Sequence, residues 1–538
     1  YIYVVIVSFI LAESLDKMRD LSGKELGIMT AITGLYGLVN AFSDKLFVPS
    51  IYGAFGLLAA TLIMLFLLNS DKITFSKKRF RGIVLGMTAL VIFLNAKWFI
   101  TSGDDSYTHL DTYVSAGDSK KKISGTALKH LDEVPGADTD EFYRSTNLVT
   151  TGNLRSSSLL YGYNDVSTFS STLNGGIVNY NNAMGNCRWN IVSIYDYNFR
   201  TYLNTLASVK YMGVAKKNTA TIPYGYKKVQ ETKNKYYSIY ENQYSLPLGY
   251  TYDKIVNTDR IDQYSAAEKQ ETTMLAAIVE DKDMDKNSNL TVATKLPLTA
   301  QKLKIKNIKL NGVSMTKDTI EIEKPGATMK FSFEAPANAE TYLSLVGDIY
   351  AEKDAKEHFI TARIKASGVK YGHKFRIDAY TTGQKEYLFN LGYREGAVKT
   401  CTLKFVGTGT LKYKDLAIYS QTMSNYADRV NALKENSLQN AKAEKNTVTG
   451  NITVDKDKML VVTLPYQKGW TAYVDGKKTD IQRVNYQYIG INLKKGTHDI
   501  KLHYQLPGIK LAFMITGCGI IAFVAIIIFN IVRKRRKN

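Results

Sequence analysis

The C-terminal end of the chain constrains its fold more than any other stretch. Residues 509–532 are an apolar run whose polar members are Lys510, Thr516 and Asn530. A helix of about 24 residues rises roughly 36 Å, which is enough to cross a bilayer core of about 30 Å. Cations follow directly at 533–537, and basic residues beside a membrane helix stay on the cytoplasmic side. The sequence therefore predicts a transmembrane helix over 508–532, a cytoplasmic tail over 533–538 and an extracellular segment before them.

Further apolar runs occupy the N-terminal part, at 1–12, 26–42, 46–68 and 82–100. The first run is too short to cross a bilayer and is interpreted as the remaining part of a longer helix. A second basic cluster lies before the last run; its members are Lys72, Lys77, Lys78, Arg79 and Arg81. Counting the helices alternately puts both basic clusters in the cytoplasm and residues 101–507 outside. The plan is that of a multi-pass protein of the cell membrane, with about four helices within 1–100.

The formal net charge of +21 is carried in part by these two basic clusters. Such clusters set topology and attract anionic membrane lipid. No recognised nucleic-acid-binding motif accompanies the charge, so nucleic acid is not expected as a partner. The three cysteines are too few for a disulfide scaffold; Cys187 and Cys401 could pair, but two cysteines so far apart in sequence are expected to be independent.

The predicted extracellular region divides into several units. Residues 101–252 have a mixed α/β pattern with a helix near 199–206, and 253–420 have the short alternating runs of a jelly-roll-like β-sandwich. Helical spacing at 421–445 predicts a connecting helix, and 446–507 predict a further β-domain with an Asp475-Gly476 hairpin. The predicted fold is a multi-domain membrane protein, with a transmembrane helical bundle, a large extracellular α+β and β-sandwich region, and a C-terminal transmembrane helix.

Metal-binding patterns are weak throughout the sequence. Asp281, Asp283 and Asp285 begin like a calcium loop, but Lys286 replaces the required glycine and Val292 the required glutamate. The histidines include no pair at metal-ligand spacing on one face of an element. No metal site and no cofactor is therefore identified from the residues.

One polar cluster could bind a substrate. It combines hydroxyl, amide and guanidinium groups, which suit a polyol or a phosphate. Its members are Arg144, Asn147, Asn153, Tyr161, Asn164, Ser170 and Ser171. The alternative is a polar network that only holds loops in place. Likewise, the rings of Tyr161, Tyr163 and Phe169 could stack on sugars or pack in a core.

A second candidate is the pair Asp104 and Asp105, directly after the apolar run at 82–100. These carboxylates would lie at the outer membrane surface, where a lipid-phosphate donor also lies, and could serve as catalytic groups. The alternative is a solvated turn, since the surrounding loop is rich in glycine and serine.

Several short motifs, taken in order, resemble the bacterial YfhO family of membrane proteins. Those near the C-terminus are Lys468-Gly469-Trp470, Val474-Asp475-Gly476-Lys477, Gly496-Thr497-His498, and Tyr504 followed by Pro507-Gly508. Those in the middle are Phe142-Tyr143-Arg144, Asn147, Tyr161-Gly162-Tyr163, Phe169-Ser170-Ser171, Val209-Lys210-Tyr211, and Tyr240-Glu241-Asn242 with Leu246-Pro247. The resemblance covers about residues 142–532.

This resemblance implies an enzyme similar to the C-type glycosyltransferases, which take a sugar from a polyprenyl-phosphate donor on the outer face of the membrane. The implied acceptor is lipoteichoic or wall teichoic acid of Gram-positive bacteria, and the implied partners include a donor synthase and a flippase. Such chemistry needs a carboxylate base and cationic or divalent-metal help at the leaving phosphate. In these folds the carboxylate lies in the first outside loop, which we expect to precede Tyr1 together with further membrane helices. The catalytic residue is therefore left unassigned.

A second hypothesis comes from a different class. The chain could be a non-catalytic surface protein whose β-units bind cell-wall glycan or a partner, with the helices acting only as anchors. The number of predicted membrane helices favours the enzyme, because a simple anchor needs only one or two.

Overall fold

The computed structural model describes residues 21–41, 49–69, 76–100, 141–148, 158–215, 221–231, 237–347, 359–376 and 383–536, together with a few isolated positions. It comprises two compact units, Tyr1–Lys121 and Lys122–Asn538. The described part of the first unit contains three apolar helices. They are α1 (Gly23–Ala41), α2 (Pro49–Asn69) and α3 (Lys77–Ile100).

These helices agree with the predicted apolar runs at 26–42, 46–68 and 82–100 to within a few residues. Helix α1 begins with a capping box, in which the Ser22 amide donates to the Glu25 carboxylate (2.8 Å) and the Glu25 amide donates to Ser22 Oγ (3.3 Å). Helix α3 begins earlier than predicted, at Lys77, because lysine and arginine are good helix formers and extend the first turn. Residues 1–8 and 10–12 of the first predicted run lie outside the described residues.

The second unit opens with two small sheets and short helices. In chain order these are β1 (Arg144–Leu148), α4 (Ser158–Tyr161), β2 (Thr168–Phe169), α5 (Gly175–Ala183), β3 (Trp189–Asn190), β4 (Ser193–Ile194), α6 (Thr201–Leu206), β5 (Val209–Ala215), β6 (Tyr226–Glu231) and β7 (Tyr237–Asn242). The sheet orders are β1-β5-β7-β6, with β1 parallel to β5, and β2-β4-β3. Helix α6 begins two residues later than predicted, since Asn198 and Phe199 have φ values of 53° and 55°.

The chain then supplies one end of a larger sheet. This part contains β8 (Gly249–Tyr252), β9 (Lys254–Asn257), α7 (Thr258–Asp262), α8 (Ala266–Thr272), β10 (Ala277–Val279), a 3-10 turn (Asp281–Asn287) and β11 (Thr291–Val292). The three aspartates that resemble the start of a calcium loop lie in the 3-10 turn, where Asp283 pairs with Lys286 at 2.6 Å.

A β-sandwich follows, close to where the alternating pattern predicts it. Its strands are β12 (Gln301–Leu303), β13 (Lys306–Asn311), β14 (Val313–Met315), β15 (Thr319–Ile322), β16 (Thr328–Ser332), β17 (Ala339–Val346), β18 (Phe359–Ala366), β19 (Val369–Arg376), β20 (Glu386–Arg394), β21 (Thr400–Val406), β22 (Gly409–Lys412) and β23 (Asp415–Thr422). Sheets β12-β23-β17-β20 and β13-β16-β21-β18-β19 share one apolar core, and β14-β15-β22 adds to it.

The last part completes the larger sheet and adds another. It contains α9 (Tyr426–Lys434), β24 (Gln439–Glu444), β25 (Thr447–Val454), β26 (Lys458–Pro465), β27 (Trp470–Val474), β28 (Lys477–Thr479), β29 (Gln482–Val484), β30 (Tyr488–Leu493), β31 (Gly496–Tyr504) and α10 (Ile509–Arg535). The sheet orders are β11-β9-β10-β29-β30-β26-β8 and β24-β25-β31-β27-β28.

Two details of the predicted organisation need correction. The connecting helix predicted over 421–445 is limited to α9, because residues 421 and 422 end β23 and residues 439–444 pair with β25. The seven-stranded sheet joins β8 and β9, from either side of the boundary at 252, with strands beyond 445. That sheet therefore crosses two of the predicted domain boundaries.

The hairpin predicted at Asp475-Gly476 is confirmed. These residues connect β27 to β28 and have φ values of 51° and 73°, which is the positive φ that a tight two-residue hairpin requires. Cys187 and Cys401 are both free and buried.

Helix α10 confirms the C-terminal apolar helix and extends it to Arg535. Within the described residues it is the one helix that is long and apolar enough to cross a membrane, by length and composition. The multi-pass plan for residues 1–100 stays a prediction.

Candidate functional site

The guanidinium of Arg144, the first residue of β1, makes hydrogen bonds to other parts of the protein. Its Nη1 donates to the Ala207 carbonyl (3.0 Å) and to Thr463 Oγ1 (2.9 Å), and its Nη2 donates to the Thr463 carbonyl (2.7 Å). The Phe142 ring lies 4.9 Å from the guanidinium carbon. Because Thr463 belongs to β26, Arg144 connects the first small sheet to the seven-stranded sheet.

Two amides of the predicted cluster, Asn147 and Asn164, lie along β1. Asn147 is 7% exposed and donates from Nδ2 to the Tyr163 hydroxyl at 3.2 Å. Asn164 is exposed; its side chain donates to the Tyr143 carbonyl (3.2 Å), and its own carbonyl accepts from the Ser145 amide (2.8 Å). The segment around Tyr163 and Asn164 therefore runs beside β1.

The other described members of the cluster are half-buried or exposed. Tyr161 ends α4 and is half-buried; Ser170 follows β2, where its amide donates to the Val192 carbonyl (2.8 Å), and Ser171 is exposed in the next turn. Phe169 is 53% exposed. Asn153, Asp104 and Asp105 lie outside the described residues. A substrate-binding role for the cluster stays a prediction.

Sequence reasoning missed a buried polar centre between α6, α8 and the sandwich. Arg200, directly before α6, is 0% exposed and donates from Nη1 to the Met184 carbonyl (2.6 Å) and to Gln270 Oε1 (3.3 Å). Its Nε and Nη2 groups have no hydrogen-bond partner among the described residues. Burial lowers the pKa of this guanidinium. The sequence signal here is one arginine between Phe199 and Thr201-Tyr202, which does not distinguish a buried from an exposed site.

Glu340 of β17 lies in the same centre and is also fully buried. Its carboxylate accepts hydrogen bonds from the Thr201 amide (3.2 and 3.3 Å) and from Asn390 Nδ2 (2.7 Å). Burial raises the pKa of Glu340 to about 7, although these hydrogen bonds and nearby Arg200 act in the opposite direction. The neutral and charged forms of Glu340 are therefore both accessible near neutral pH.

A buried ion pair connects α8 to α9. Glu271 is 0% exposed and Arg429 is 7% exposed, and their side chains are in direct contact. The Glu271 carboxylate also accepts from the Thr299 amide (2.8 Å), the Thr299 hydroxyl (2.7 Å) and the Ala300 amide (2.8 Å). A carboxylate with so many protein donors and no solvent access fits a structural role better than proton transfer to a substrate.

The connection to helix α10 is held by a close backbone contact. Gly469 has a φ of 109°, and its carbonyl accepts from the Gln505 amide at 3.0 Å. A Cβ atom at Gly469 would overlap the Gln505 carbonyl oxygen and lie 2.9 Å from the Tyr504 ring. The rings of Trp470 and Tyr504 lie 5.2 Å apart. The Lys468-Gly469-Trp470 motif therefore packs the turn before β27 against the four residues that lead into α10.

Metal-binding side chains do not group together in the described part of the chain. No three His, Cys, Asp or Glu side chains there are placed to hold one metal ion. His498 and His503, on β31, bond to Asp475 and Thr447 respectively (2.8 and 3.1 Å).

The fold and its last helix define a class: a protein in which β-sheets and a β-sandwich precede a C-terminal helix that is long and apolar enough to cross a bilayer. Residues 1–516 match the sequence model of the family described as "Bacterial membrane protein YfhO". The chain belongs to this family, which confirms the resemblance given by its motifs.

A relative of this chain is the "Uncharacterized protein YfhO" of Bacillus subtilis (strain 168). The two are 25% identical over 565 aligned positions, which include 99% of this chain and 60% of the relative. The chain therefore spans about 60% of the length of the curated relative that it matches.

Likenesses to solved structures are distant. One is to the arabinofuranosyltransferase AftD from mycobacteria, with 8% identity and a TM-score of 0.23, covering 82% of this chain and 60% of AftD. Another is to the C-terminal CBM6 of the laminarinase LamC from Zobellia galactanivorans, with 8% identity and a TM-score of 0.16, covering 23% of this chain and all of that domain.

Proposed function

We propose that this protein is a membrane glycosyltransferase. It transfers a sugar from a polyprenyl-phosphate donor to a cell-envelope polymer, lipoteichoic or wall teichoic acid, on the outer face of the cytoplasmic membrane. The single observation that carries the proposal is membership of the YfhO family over residues 1–516. The resemblance of that family to the C-type glycosyltransferases also supports the proposal.

The architecture supports this proposal in one respect. Four residues separate β31 from α10, and Gly469 packs against that connection, so the five-stranded sheet stays close to the membrane entry point of the helix. A polymer bound on the outside would therefore lie near the level at which a lipid-phosphate donor presents its sugar. The proposed topology puts residues 101–507 outside and the basic tail inside.

The proposed chemistry requires a general base for the acceptor hydroxyl and charge stabilisation at the leaving phosphate. The buried carboxylates Glu271 and Glu340 accept hydrogen bonds from protein donors and are not open to a substrate. We therefore assign the base to a loop at the membrane surface outside the described residues, with Asp104 and Asp105 as candidates. A divalent metal at the leaving phosphate, a donor synthase and a flippase belong to the same proposal.

The proposal is tested by deleting the encoding gene in its host and measuring the sugar-to-phosphate ratio of purified lipoteichoic and wall teichoic acids. We expect loss of one sugar substituent from one of the two polymers, restored by the wild-type gene. Accumulation of the polyprenyl-phosphate sugar in the deletion strain would show that the donor is made but not consumed. An unchanged sugar content in both polymers contradicts the enzyme and favours the non-catalytic glycan-binding protein.

The predicted acceptor cluster has its own test. Ser171 is exposed, and Ser170 is half-buried with its hydroxyl oxygen accepting from the nearby Thr172 amide (3.3 Å), so a double Ser170→Ala, Ser171→Ala variant removes two hydroxyls with little expected effect on folding. We expect it to lower the sugar content of the polymer at unchanged protein level. If this variant restores the full sugar content in the deletion strain, the two hydroxyls have only a local structural role.

A further inference from the structure

The outer face of the five-stranded sheet β24-β25-β31-β27-β28 contains a groove of about 490 Å³. This volume is within the range of about 300–1,000 Å³ that is typical of ligand sites. The opposite face of the sheet packs on an apolar core that includes Val448, Ala472 and Leu502. The residues that line the groove are Thr449, Gly450, Tyr473, Gly476, Asp499, Ile500 and Lys501.

The strand register arranges these side chains in a row. Lys501 of β31 lies directly opposite Thr449 of β25 on one side and Tyr473 of β27 on the other. The row extends to both edge strands, where Lys442 is opposite Thr449 and Lys478 is opposite Tyr473. Directly opposite residues share one face of a sheet, so Thr449, Lys501 and Tyr473 lie side by side in the groove, and Lys442 and Lys478 lie on the same face at the edge strands.

The charged groups of the groove are available to a ligand. Lys501 and Asp499 are exposed, and within the described residues neither side chain has a hydrogen bond or ion pair. The nearby carboxylate of Asp475 differs, because it accepts from His498 Nδ1 (2.8 Å) and from the Asp499 amide (2.9 Å). The groove therefore offers one free ammonium, one free carboxylate, a hydroxyl and a half-buried aromatic ring.

We propose that this groove binds a phosphate-bearing glycan, a chain of sugar or polyol units joined by phosphodiesters. Lys501, with Lys478 at one edge, pairs with phosphate oxygens. The Tyr473 ring packs against the carbon face of a sugar or polyol unit, while Asp499 accepts from its hydroxyl groups. A cation row beside a free carboxylate matches a ligand that alternates phosphate and hydroxyl groups.

This inference rests on the proposed function for one point only, that the bound chain is the acceptor of the transfer. The groove is separate from the polar cluster on β1, and its ligand chemistry follows from its own side chains.

The test measures binding directly. The full chain is purified in phosphatidylcholine nanodiscs, and the dissociation constant of a soluble poly(glycerol phosphate) oligomer is measured by microscale thermophoresis. We expect Lys501→Ala to weaken binding about tenfold, since a charge-assisted hydrogen bond is lost. Tyr473→Phe should retain most of the affinity, because the ring remains. Lys309→Ala, an exposed lysine on β13 of the sandwich, is the matched control and should change nothing.

Three results would overturn the inference. The first is equal binding by wild type and Lys501→Ala when both have the same thermal unfolding midpoint. The second is equal affinity for a neutral glucan oligosaccharide, which would show that phosphate is not recognised. The third is Lys501-dependent binding to phosphatidylglycerol vesicles without binding to the soluble oligomer, which would assign the lysine row to the membrane surface.

The same variants distinguish this inference from the proposed function. Lys501→Ala is also expressed in the deletion strain, and the sugar content of the polymer is measured. Oligomer binding together with an unchanged sugar content in the deletion strain would support the groove and contradict the transferase. Normal transfer by a Lys501→Ala protein that no longer binds the oligomer would support the transferase and overturn the acceptor assignment.

Discussion

The sandwich formed by β12–β23 and the tyrosine-rich unit around the seven-stranded sheet are stabilised in different ways. The sandwich core consists mainly of aliphatic residues and phenylalanine, and two of its buried members are tyrosines, Tyr387 and Tyr413. The core of the tyrosine-rich unit contains seven buried tyrosines, and it borders the buried Arg200, Glu340, Glu271 and Arg429. Those tyrosines are Tyr180, Tyr197, Tyr202, Tyr250, Tyr252, Tyr426 and Tyr488.

The two regions also differ in how the chain builds them. The sandwich is continuous in sequence from Gln301 to Thr422, and several of its strands, such as β15, β16 and β21, have one buried and one wet face, whereas β17 and β20 are buried along most of their length. In β21, for example, Cys401, Leu403 and Phe405 are buried while the residues between them are more exposed. The tyrosine-rich unit combines strands from 249–292 with strands from 458–493, and several of them, such as β8 and β10, are buried along their whole length. Its specificity therefore depends on polar contacts between distant segments.

The largest expected effect comes from breaking the buried ion pair. In Glu271→Ala, Arg429 remains buried without its counter-charge, and the amides of Thr299 and Ala300 lose their acceptor. We expect a loss of about 3–5 kcal/mol in the free energy of unfolding. Urea unfolding followed by tyrosine fluorescence measures it. A loss below about 1 kcal/mol would show that the tyrosine-rich unit does not depend on this pair.

The next effect concerns pH and comes from Glu340. Its pKa is raised from 4.5 to about 7 in the folded protein, so the folded state binds its proton more tightly than the unfolded state does. The contribution of this proton to the free energy of unfolding is fully present below pH 4.5 and is lost as the pH rises through 7. Its full size is on the order of 3 kcal/mol. We expect Glu340→Gln to remove this dependence. Identical pH profiles of wild type and variant between pH 4.5 and 7.5 would contradict the assignment.

The sandwich contributes a pH dependence of the opposite sign. Burial beside Phe375 and Tyr387 lowers the pKa of His373 from 6.5 to about 4. The unfolded state therefore takes up this proton first, and stability is lost as the pH falls from 6.5 toward 4. Because the two groups titrate in overlapping ranges, the Glu340 effect is obtained as the difference between wild type and Glu340→Gln.

A smaller effect is expected from the contact between β1 and β26. Arg144→Ala removes three hydrogen bonds to Ala207 and Thr463, at an expected cost of about 2 kcal/mol. Arg363→Ala is the matched control, since Arg363 is exposed on β18 of the sandwich and should change stability by less than about 0.5 kcal/mol. The two thermal unfolding midpoints are compared directly. Equal midpoints for these variants would mean that the hydrogen bonds of Arg144 to Ala207 and Thr463 contribute little to stability.

The contrast between the regions also explains what the sequence could predict. Alternating strands leave a period-2 pattern, so the sandwich, the strands Trp470–Val474 and Tyr488–Leu493 and the Asp475-Gly476 hairpin could be predicted. The long apolar run of α10 is equally clear. The crossing of the boundaries at 252 and 445 by one sheet could not be predicted, because wholly buried strands carry no alternation and pairing between distant segments leaves no local signal.

For the candidate site, the sequence could predict which types of residue take part, but not what they contact. A cluster of Arg, Asn, Ser and Tyr indicates polar contacts, but not whether their partners are protein or ligand atoms. Arg144 contacts Thr463, more than three hundred residues away, and nothing near Arg144 in sequence indicates that partner. The groove on β25, β27 and β31 was missed for a related reason. Lys501, Tyr473 and Thr449 become neighbours only through the strand register.

The smallest expected effect concerns an ion pair of the sandwich that is exposed to solvent, in contrast to the buried pair of Glu271 and Arg429. Lys306 and Glu334 form an ion pair at 3.2 Å with exposed fractions of 47% and 80%, and two such long side chains lose conformational freedom when they pair in water. Single alanine variants and the double variant of this pair form a thermodynamic cycle, in which we expect a coupling of about 0.2–1 kcal/mol that decreases at high salt. A coupling of several kcal/mol, similar to the cost expected for Glu271→Ala, would mean that the sandwich and the tyrosine-rich unit depend on charge to the same degree.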